Sequence, residues 1–498
     1  MNPQAFTVYD MLAGHAASRA AEVALVTETG EARSFAQMRD RVDALAGGLV
    51  AAGLRQGDRL LVLAQNSAAF FELYFACARQ GVVLYPLNWR LSADEVARSL
   101  ERADARGIVI DSDYLQVLPE SLPDYVLKTC FDAAPAGWVG FDTLYDAAAA
   151  REPAVLSADD DFAIISTAAV DVIPRGAILT HHNVLFSNLQ TMTALGLGPG
   201  DGNLLALPLF HIAALGGALA VMHAGGQNVV MRSFDAARAV ELIQSHALTF
   251  MSDFPPVLNN VLDAAQPGQL DSLRIVSGLD APATIERLHS ETNADFWTGF
   301  GQTETTGWVS MQRCRDLMGA AGVPCSVCSV KLVDDYDQPV PTGTPGEILV
   351  RGPIVFKGYF AQPDVTEHTF RGGWHHTGDV GRFDENGVLY YVKRKPEKEL
   401  IKPGGENVYP AEVETVIMEL EAVGAVCVFG VADQTWGEAI KAVVQSSDPT
   451  LKAEQVIEHV ASRIARFKRP KHVVFVDSLP TDDTGAVDRE AVKSRWGD

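Results

Sequence analysis

Apolar positions follow two alternating rhythms along this chain. In "SFAQMRDRVDALAGGLVAAG" Met38, Val42, Leu45 and Leu49 fall three to four residues apart, the spacing of one helix face, and "DRLLVLAQN" follows as a short apolar run of strand type. The succession returns at "SADEVARSLERADA" and "RGIVIDS". Helix and strand exchanging in this way predict an α/β architecture, and no fixed-period repeat or low-complexity tract interrupts it. The most apolar early segment, "AAFFELYFACARQGVVLYPL", is broken by Glu72 and Arg79. It predicts a buried helix entering a strand rather than a membrane span, which needs about 20 apolar residues.

The pattern changes at "YYVKRKPEKELIKPGGENVYPAEVE", where an apolar strand gives way to a charged, proline-interrupted, glycine-rich stretch before a new helix. Such a composition marks a hinge. The boundary falls at residues 393–395, dividing the chain into 1–393 and 394–498. The second part suffices for a small α+β domain, with strands at "AVGAVCVFGVAD" and "EAIKAVVQ", a helix at "AEQVIEHVASRIARF" and a last strand at "KHVVFVD".

Composition narrows the function. A chain of 498 residues exceeds one ordinary core, and 47% hydrophobic with 21% charged residues describe a soluble globular protein. The net charge of -23 argues against a nucleic-acid surface while leaving room for a local basic patch. The amino terminus lacks a basic head followed by an apolar run and cleavage site, which predicts a cytoplasmic protein without membrane attachment. Of six cysteines only Cys325 and Cys328 form a CxxC pair, and with no second pair or histidine cluster they predict packing rather than a metal site.

Six strings occur in a telling order: "LPLFH", "FWTGFGQTETT", "GEILVRGP", "GGWHHTGDVGRFDENG", "GGENVYPAEVE" and "GVADQTWGEAIKAVV". In order and spacing the chain resembles the adenylate-forming superfamily, in its acyl-CoA synthetase branch, over nearly its whole length. The resemblance implies a large amino-terminal domain of stacked sheets with helices and a small, mobile carboxy-terminal domain. Relatives activate a carboxylic acid with ATP to an acyl adenylate, rotate the small domain, and let coenzyme A displace AMP.

It also implies roles. Phe300 would stack on adenine, Thr303 would bond the α-phosphate, Glu304 would hold magnesium or a polar neighbour, and Asp379 would accept from the ribose hydroxyls. Arg394 would reach the ribose from the hinge, although the segment between it and the paired glycines carries an insertion. Leu279, Asp280, Ala281, Thr298, Gly299 and Gly301 complete the AMP site. The acyl pocket would comprise Phe210, His211, Phe254, Ser277, Gly278, Gly299, Gly307 and Trp308, with a bulky apolar acyl group expected. Gly404, Gly405 and Glu406 would close a tunnel for the pantetheine arm, where Gly405 allows close approach. Arg463, Arg466, Lys468, Arg469 and Lys471 form a basic patch for coenzyme A phosphates. His211, Thr303, Glu304 and Gly405 are the catalytic candidates.

Two family features are altered. The phosphate loop reads approximately TSGTTGxPKG in relatives, and its glycines and hydroxyls wrap pyrophosphate with backbone N–H groups. Here "STAAVDVIPRG" keeps Thr167, Pro174 and Gly176 and puts Arg175 at the lysine. Ala168, Ala169, Val170, Asp171 and Val172 replace the rest. A side chain where positive φ is needed costs about 1 to 2 kcal/mol, and Asp171 adds negative charge beside the polyphosphate. At the carboxy terminus Ala486 in "LPTDDTGAVDRE" stands where relatives carry the lysine of adenylation. Losing one oriented charge there costs about 100- to 1000-fold in rate. Both changes fall on one half-reaction, so the expected activity is thioester formation from a preformed acyl adenylate and coenzyme A, with a separate adenylating enzyme upstream, as in divided natural-product routes. A complete ATP-dependent synthetase, with Arg175 and Lys471 or Lys493 compensating, is the alternative. A non-catalytic sensor of AMP or acyl-CoA is a third.

Overall fold

The computed structural model describes residues 6–146, 153–167, 175–395, 399–481 and 487–497. Among them, two large mixed sheets of nine and eight strands form the body of the amino-terminal part. In the nine-stranded sheet Gly202–Leu205, Phe250–Asp253, Ile275–Gly278 and Asp295–Gln302 lie parallel in that spatial order. Their carboxy-terminal ends therefore open on one edge of the sheet, the usual place for a ligand in an α/β fold. Asp295–Gln302 then reverses through a single 3-10 turn, Thr303–Thr305, into the antiparallel Gly307–Arg313.

In the eight-stranded sheet Arg59–Leu63, Val83–Pro86, Gly107–Ile110 and Leu127–Cys130 are parallel. The neighbouring pair Asp161–Ser166 and Gly176–Thr180 is antiparallel. A four-stranded antiparallel sheet follows, ending in His375–Phe383 paired with Leu389–Arg394. Among the described residues no helix is long and apolar enough to cross a membrane.

The helix Ala68–Gln80 and strand Val83–Pro86 occupy the apolar segment that the sequence assigns to a buried helix and strand. Ser67 caps the helix by accepting from Phe70 N–H, and Gly81 ends it in left-handed conformation at φ 67°. Both interrupting charges are paired inside. Glu72 is fully buried and accepts from Arg33 at 2.7 Å, Arg41 at 2.9 Å and the Tyr145 hydroxyl at 2.6 Å. Arg79 meets Asp43 at 2.9 Å.

The carboxy-terminal part builds a three-stranded sheet from Val423–Asp433, Gly437–Ser446 and His472–Val476, with helices Pro410–Ile417 and Ala453–Arg463. It carries its own apolar cluster, which begins at Ile401 and includes Val408, Val413, Ile417, Val428, Val444 and Val460. Arg394 still stands in the preceding sheet, in register with Asp379.

A candidate active site between the two parts

Both parts contribute walls to a cavity of about 610 Å³ at the open edge of the nine-stranded sheet. From the larger part come His211, Phe254, Ser277, Gly278, Leu279, Gly299, Gly301, Thr303, Glu304, Gly307 and Trp308. From the carboxy-terminal part come Lys402, Gly404, Gly405, Glu406, Asn407 and Trp436, with Arg394 and Arg175 also on the wall. The 3-10 turn after Gln302 delivers Thr303 and Glu304 to this edge, where the Tyr359 hydroxyl donates to Glu304 Oε1 at 2.8 Å. The Arg175 guanidinium lies over the Tyr359 ring at 5.3 Å.

Gly404 and Gly405 have φ of 58° and 82°, where a side chain is strained. Space forbids one as well: a Cβ on Gly404 would stand 2.8 Å from the Trp436 ring, and one on Gly405 would stand 3.0 Å from the Phe254 ring. Backbone thus forms this part of the wall, between an aromatic ring from each side. Beside it Glu406 is nearly buried and bridges to the larger part. It accepts from Asn88 Nδ2 at 2.9 Å, pairs with Arg90, and lies 3.3 Å from His211 Nε2. Burial opposes its charge, yet His211 and Arg90 hold the carboxyl below its usual range.

Several expected residues stand elsewhere. Phe300, 7% exposed, packs into a core cluster with Val309, Leu332, Ile348 and Leu389 and does not line the cavity. Its strand explains this, since alternation puts Phe300 on the same face as the fully buried Phe296. Asp379 is 1% exposed and already engaged: Arg394 Nε lies 3.1 Å away, Gln302 donates to one oxygen, and the Tyr391 hydroxyl donates to the other at 3.3 Å. A ribose would have to displace one of these partners. Thr298 faces Gln312 across the hairpin, and Ala281 is the exposed N-cap of Pro282–Glu291. Asp280 sits behind the wall beside the fully buried Asp253, whose carboxyl is pushed well up by burial and then by the Asp280 charge. Phe210 is buried with its ring 4.3 Å from that of His211, supporting the histidine rather than the cavity surface.

The basic patch divides. Arg463, Arg466 and Arg469 are exposed, whereas Lys468 is 4% exposed and spans the seam, donating to Glu95 at 2.5 Å and Glu412 at 2.7 Å. Lys468 is therefore consumed as a contact between the two parts and is corrected out of the phosphate-binding set. Glu95 also accepts from Ala465 N–H at 3.0 Å. Lys471 pairs with Asp433 and Lys493 with Glu399, each at 2.5 Å, and neither lines the cavity. Ala169, Val172 and Ala486, with the rest of the altered loop, lie outside the described residues.

The cation that sequence reasoning missed is Lys402. It lines the cavity two residues before Gly404, and its backbone N–H is fixed by Glu438 at 2.6 Å. Burial, with Arg394 adding repulsion, lowers its ammonium to about 8. Its position two residues before the glycine pair was the available signal.

Among the described residues Asp337, Glu347 and His376 form a cluster able to hold a metal. It lies apart from the cavity wall, and Lys395 reaches Glu347 at 3.0 Å. Although burial opposes it, His376 and Lys395 bring the Glu347 carboxyl down to about 2, so the cluster is already neutralised internally.

Two large sheets with helices, a small carboxy-terminal domain and a cavity walled in part by a glycine pair define an adenylate-forming enzyme architecture. The family "AMP-binding enzyme" matches residues 12–360 and its carboxy-terminal domain matches 412–486, so the chain belongs to the AMP-binding enzymes, among the acyl-CoA ligases. Feruloyl-CoA synthase of Amycolatopsis sp is 34% identical over 95% of this chain and 96% of its own. A double mutant of o-succinylbenzoate CoA synthetase from Bacillus subtilis, bound with its product analogue OSB-NCoA, is 28% identical with a TM-score of 0.85, covering 98% of this chain and 99% of its own. The same synthetase in complex with its acyl-adenylate intermediate, OSB-AMP, scores 0.70 at 28% identity, covering 97% of each chain.

Proposed function

We propose that this ligase forms a thioester from a preformed acyl adenylate and coenzyme A, releasing AMP, and adenylates free acids poorly. The observation that carries the reading is the arrangement of the small domain: its Gly404–Gly405 backbone already walls the cavity, and the whole chain superposes better on the product-analogue complex of the synthetase than on the adenylate complex. The sequence supplies the other half, since Ala168 to Val172 and Ala486 replace the residues that serve ATP in relatives.

The pantetheine thiol would approach along the Gly404–Gly405 backbone that walls the cavity. The thiol would lose its proton to solvent, and the thiolate sulfur would attack the acyl carbonyl. The carbon–sulfur bond would form as the bond from the acyl carbon to the phosphate oxygen breaks, and AMP would leave as its phosphate dianion. Lys402 and Thr303, both on the cavity wall, would hold that phosphate, and fixed donors in an enclosed site act without reorganising. Holding both reactants together supplies most of what an already activated anhydride requires. Arg463, Arg466 and Arg469 remain exposed for the nucleotide end of coenzyme A, on the side where the small domain meets Ser92 and Glu95. Coenzyme A is then the acceptor, the acyl adenylate is the donor, and a separate adenylating enzyme must supply it.

The complete ATP-dependent synthetase is the second reading, favoured by Arg175 and Lys402 on the same cavity wall. A test of the thioester-forming step, which both readings share, uses Gly405→Leu. It should abolish acyl-CoA formation from a synthetic acyl adenylate while a stable adenylate analogue still binds within about threefold. Loss of both together would assign the glycine to folding and remove the tunnel from the account.

A further inference from the structure

Behind the cavity wall two aspartates meet without a counter-charge. Asp253 ends the strand Phe250–Asp253 in register with Gly278, two residues before Asp280, so adjacent strand ends carry both carboxyls to one edge of the sheet. Each has one oxygen bonded to backbone: Asp253 Oδ1 accepts from Leu258 N–H at 2.9 Å, and Asp280 Oδ1 accepts from Ala281 N–H at 2.6 Å. The second oxygen of each, Oδ2, is buried and meets no donor group among the described residues. Yet the two carboxyls are hydrogen-bonded to each other. Two carboxylates cannot form that bond, since an ionised carboxyl only accepts; one proton between them can. Fully buried Asp253 keeps it, because lost hydration penalises its charge most, whereas Asp280 is partly exposed and has the Thr284 hydroxyl favouring its charge.

No cation takes the place of that proton. The helices Val257–Ala264 and Pro282–Glu291, which follow the two aspartates, carry Asp263, Glu286, Arg287, His289 and Glu291, and Arg287 is taken up by Asp263 at 2.5 Å and Glu291 at 2.6 Å. Among the described residues Asp280 is the one charge acting on Asp253, and no charged group besides Asp253 acts on Asp280. The chain on either side of the pair forms cavity wall, Phe254 to Val257 from one strand end and Gly278 with Leu279 from the other. A Cβ on Gly405 would stand 3.0 Å from the Phe254 ring, and one on Gly404 would stand 3.4 Å from the Pro255 carbonyl oxygen. The bond between the carboxyls therefore ties together the two loops against which the small domain's glycine pair rests.

We propose that Asp253 and Asp280 are positioning residues for the thioester-forming step: sharing one proton, they hold the 254–257 loop to receive the glycine pair and, with it, coenzyme A. The inference rests on that step and on nothing in the adenylating half-reaction. Asp253→Asn puts an amide donor where the acid proton stands, and Asp280→Ala takes its acceptor away. With a synthetic acyl adenylate, KM for coenzyme A should stay within about twofold in the first variant and rise about fivefold or more in the second, the low end for an unsatisfied buried donor. Folding retains a proton that an unfolded aspartate, with a pKa of about 3.9, gives up. Wild-type stability therefore falls as pH rises above that value until the pair itself ionises. The asparagine variant has no such proton, so its stability relative to wild type should grow with pH, by up to about tenfold in the folding equilibrium per unit. Urea unfolding at several pH values reads this, and the infrared carbonyl band of a buried protonated acid should be present in wild type at neutral pH and vanish in Asp253→Asn. Parallel pH dependence in the two proteins, an unchanged infrared spectrum, or a wild-type KM in Asp280→Ala would overturn the inference. A wild type inert toward acyl adenylates would overturn the proposed function and the positioning role with it, while the infrared and unfolding comparisons still decide the shared proton.

Discussion

At the scale of single residues, Lys402 adds a titratable cation to a cavity wall that also carries Arg175 and Arg394. The ammonium form is the one that holds a phosphate, and burial with Arg394 lowers its ionisation to about 8. Affinity for a stable adenylate analogue should hold steady below that pH and weaken above it as the free protein loses the charge. A bound anion moves the midpoint upward. Lys402→Met should weaken binding by about 10- to 100-fold, the range of a charged hydrogen bond, and abolish the pH dependence, whereas Lys402→Arg should keep binding flat to higher pH. Calorimetry across pH 6 to 10 reads both, and an unaffected methionine variant would remove Lys402 from the site. Ala486→Lys is a separate expectation: pyrophosphate release with acid and ATP should stay slow, because Asp171 and Val172 remain in the loop. Ordinary synthetase turnover from that one change would show the loop to be competent.

At the scale of elements, alternation of helix and strand was legible because each element buries one face, and periodicity records that burial directly. The helix Ala68–Gln80 shows both reach and limit. Its two charges excluded a membrane span, but the partners of Glu72 come from residues 33, 41 and 145, which no local pattern connects. Glu72→Ala would take the buried partner from Arg33, which keeps the exposed Glu31, and from the partly exposed Arg41, and should cost about 3 kcal/mol, the lower end for removing one member of a buried ion pair. Urea unfolding followed by tryptophan fluorescence reads the loss, and a change below about 1 kcal/mol would show that water replaces the carboxylate. The site was legible in the same uneven way. Motifs brought His211, Thr303, Glu304 and the glycine pair to one cavity, but they carry no direction. Phe300 follows the strand alternation into the core, and Asp379 is closed by Arg394. Lys468 looked like surface charge because its two carboxylate partners lie at residues 95 and 412.

At the scale of the whole molecule, the small domain is held against the larger part by contacts at two places. Glu406 and Lys468 fasten it to the larger part through Arg90, Asn88, His211 and Glu95. Lys468→Met would leave Glu95 and Glu412 facing each other without a counter-charge, so the seam should open. Small-angle scattering should show a larger radius, and thioester formation should slow by roughly 10-fold or more, the scale of an unpaired buried charge. An unchanged profile would mean that the Glu406 contacts alone fix the domain. The central claim meets its most direct test in one enzyme preparation and one acyl group, compared by two routes: acid with ATP, magnesium and coenzyme A, against the synthetic acyl adenylate with coenzyme A. Acyl-CoA and AMP should form from the adenylate at least about 100-fold faster, the scale of one lost transition-state charge; equal rates by both routes would contradict the account and establish a complete synthetase.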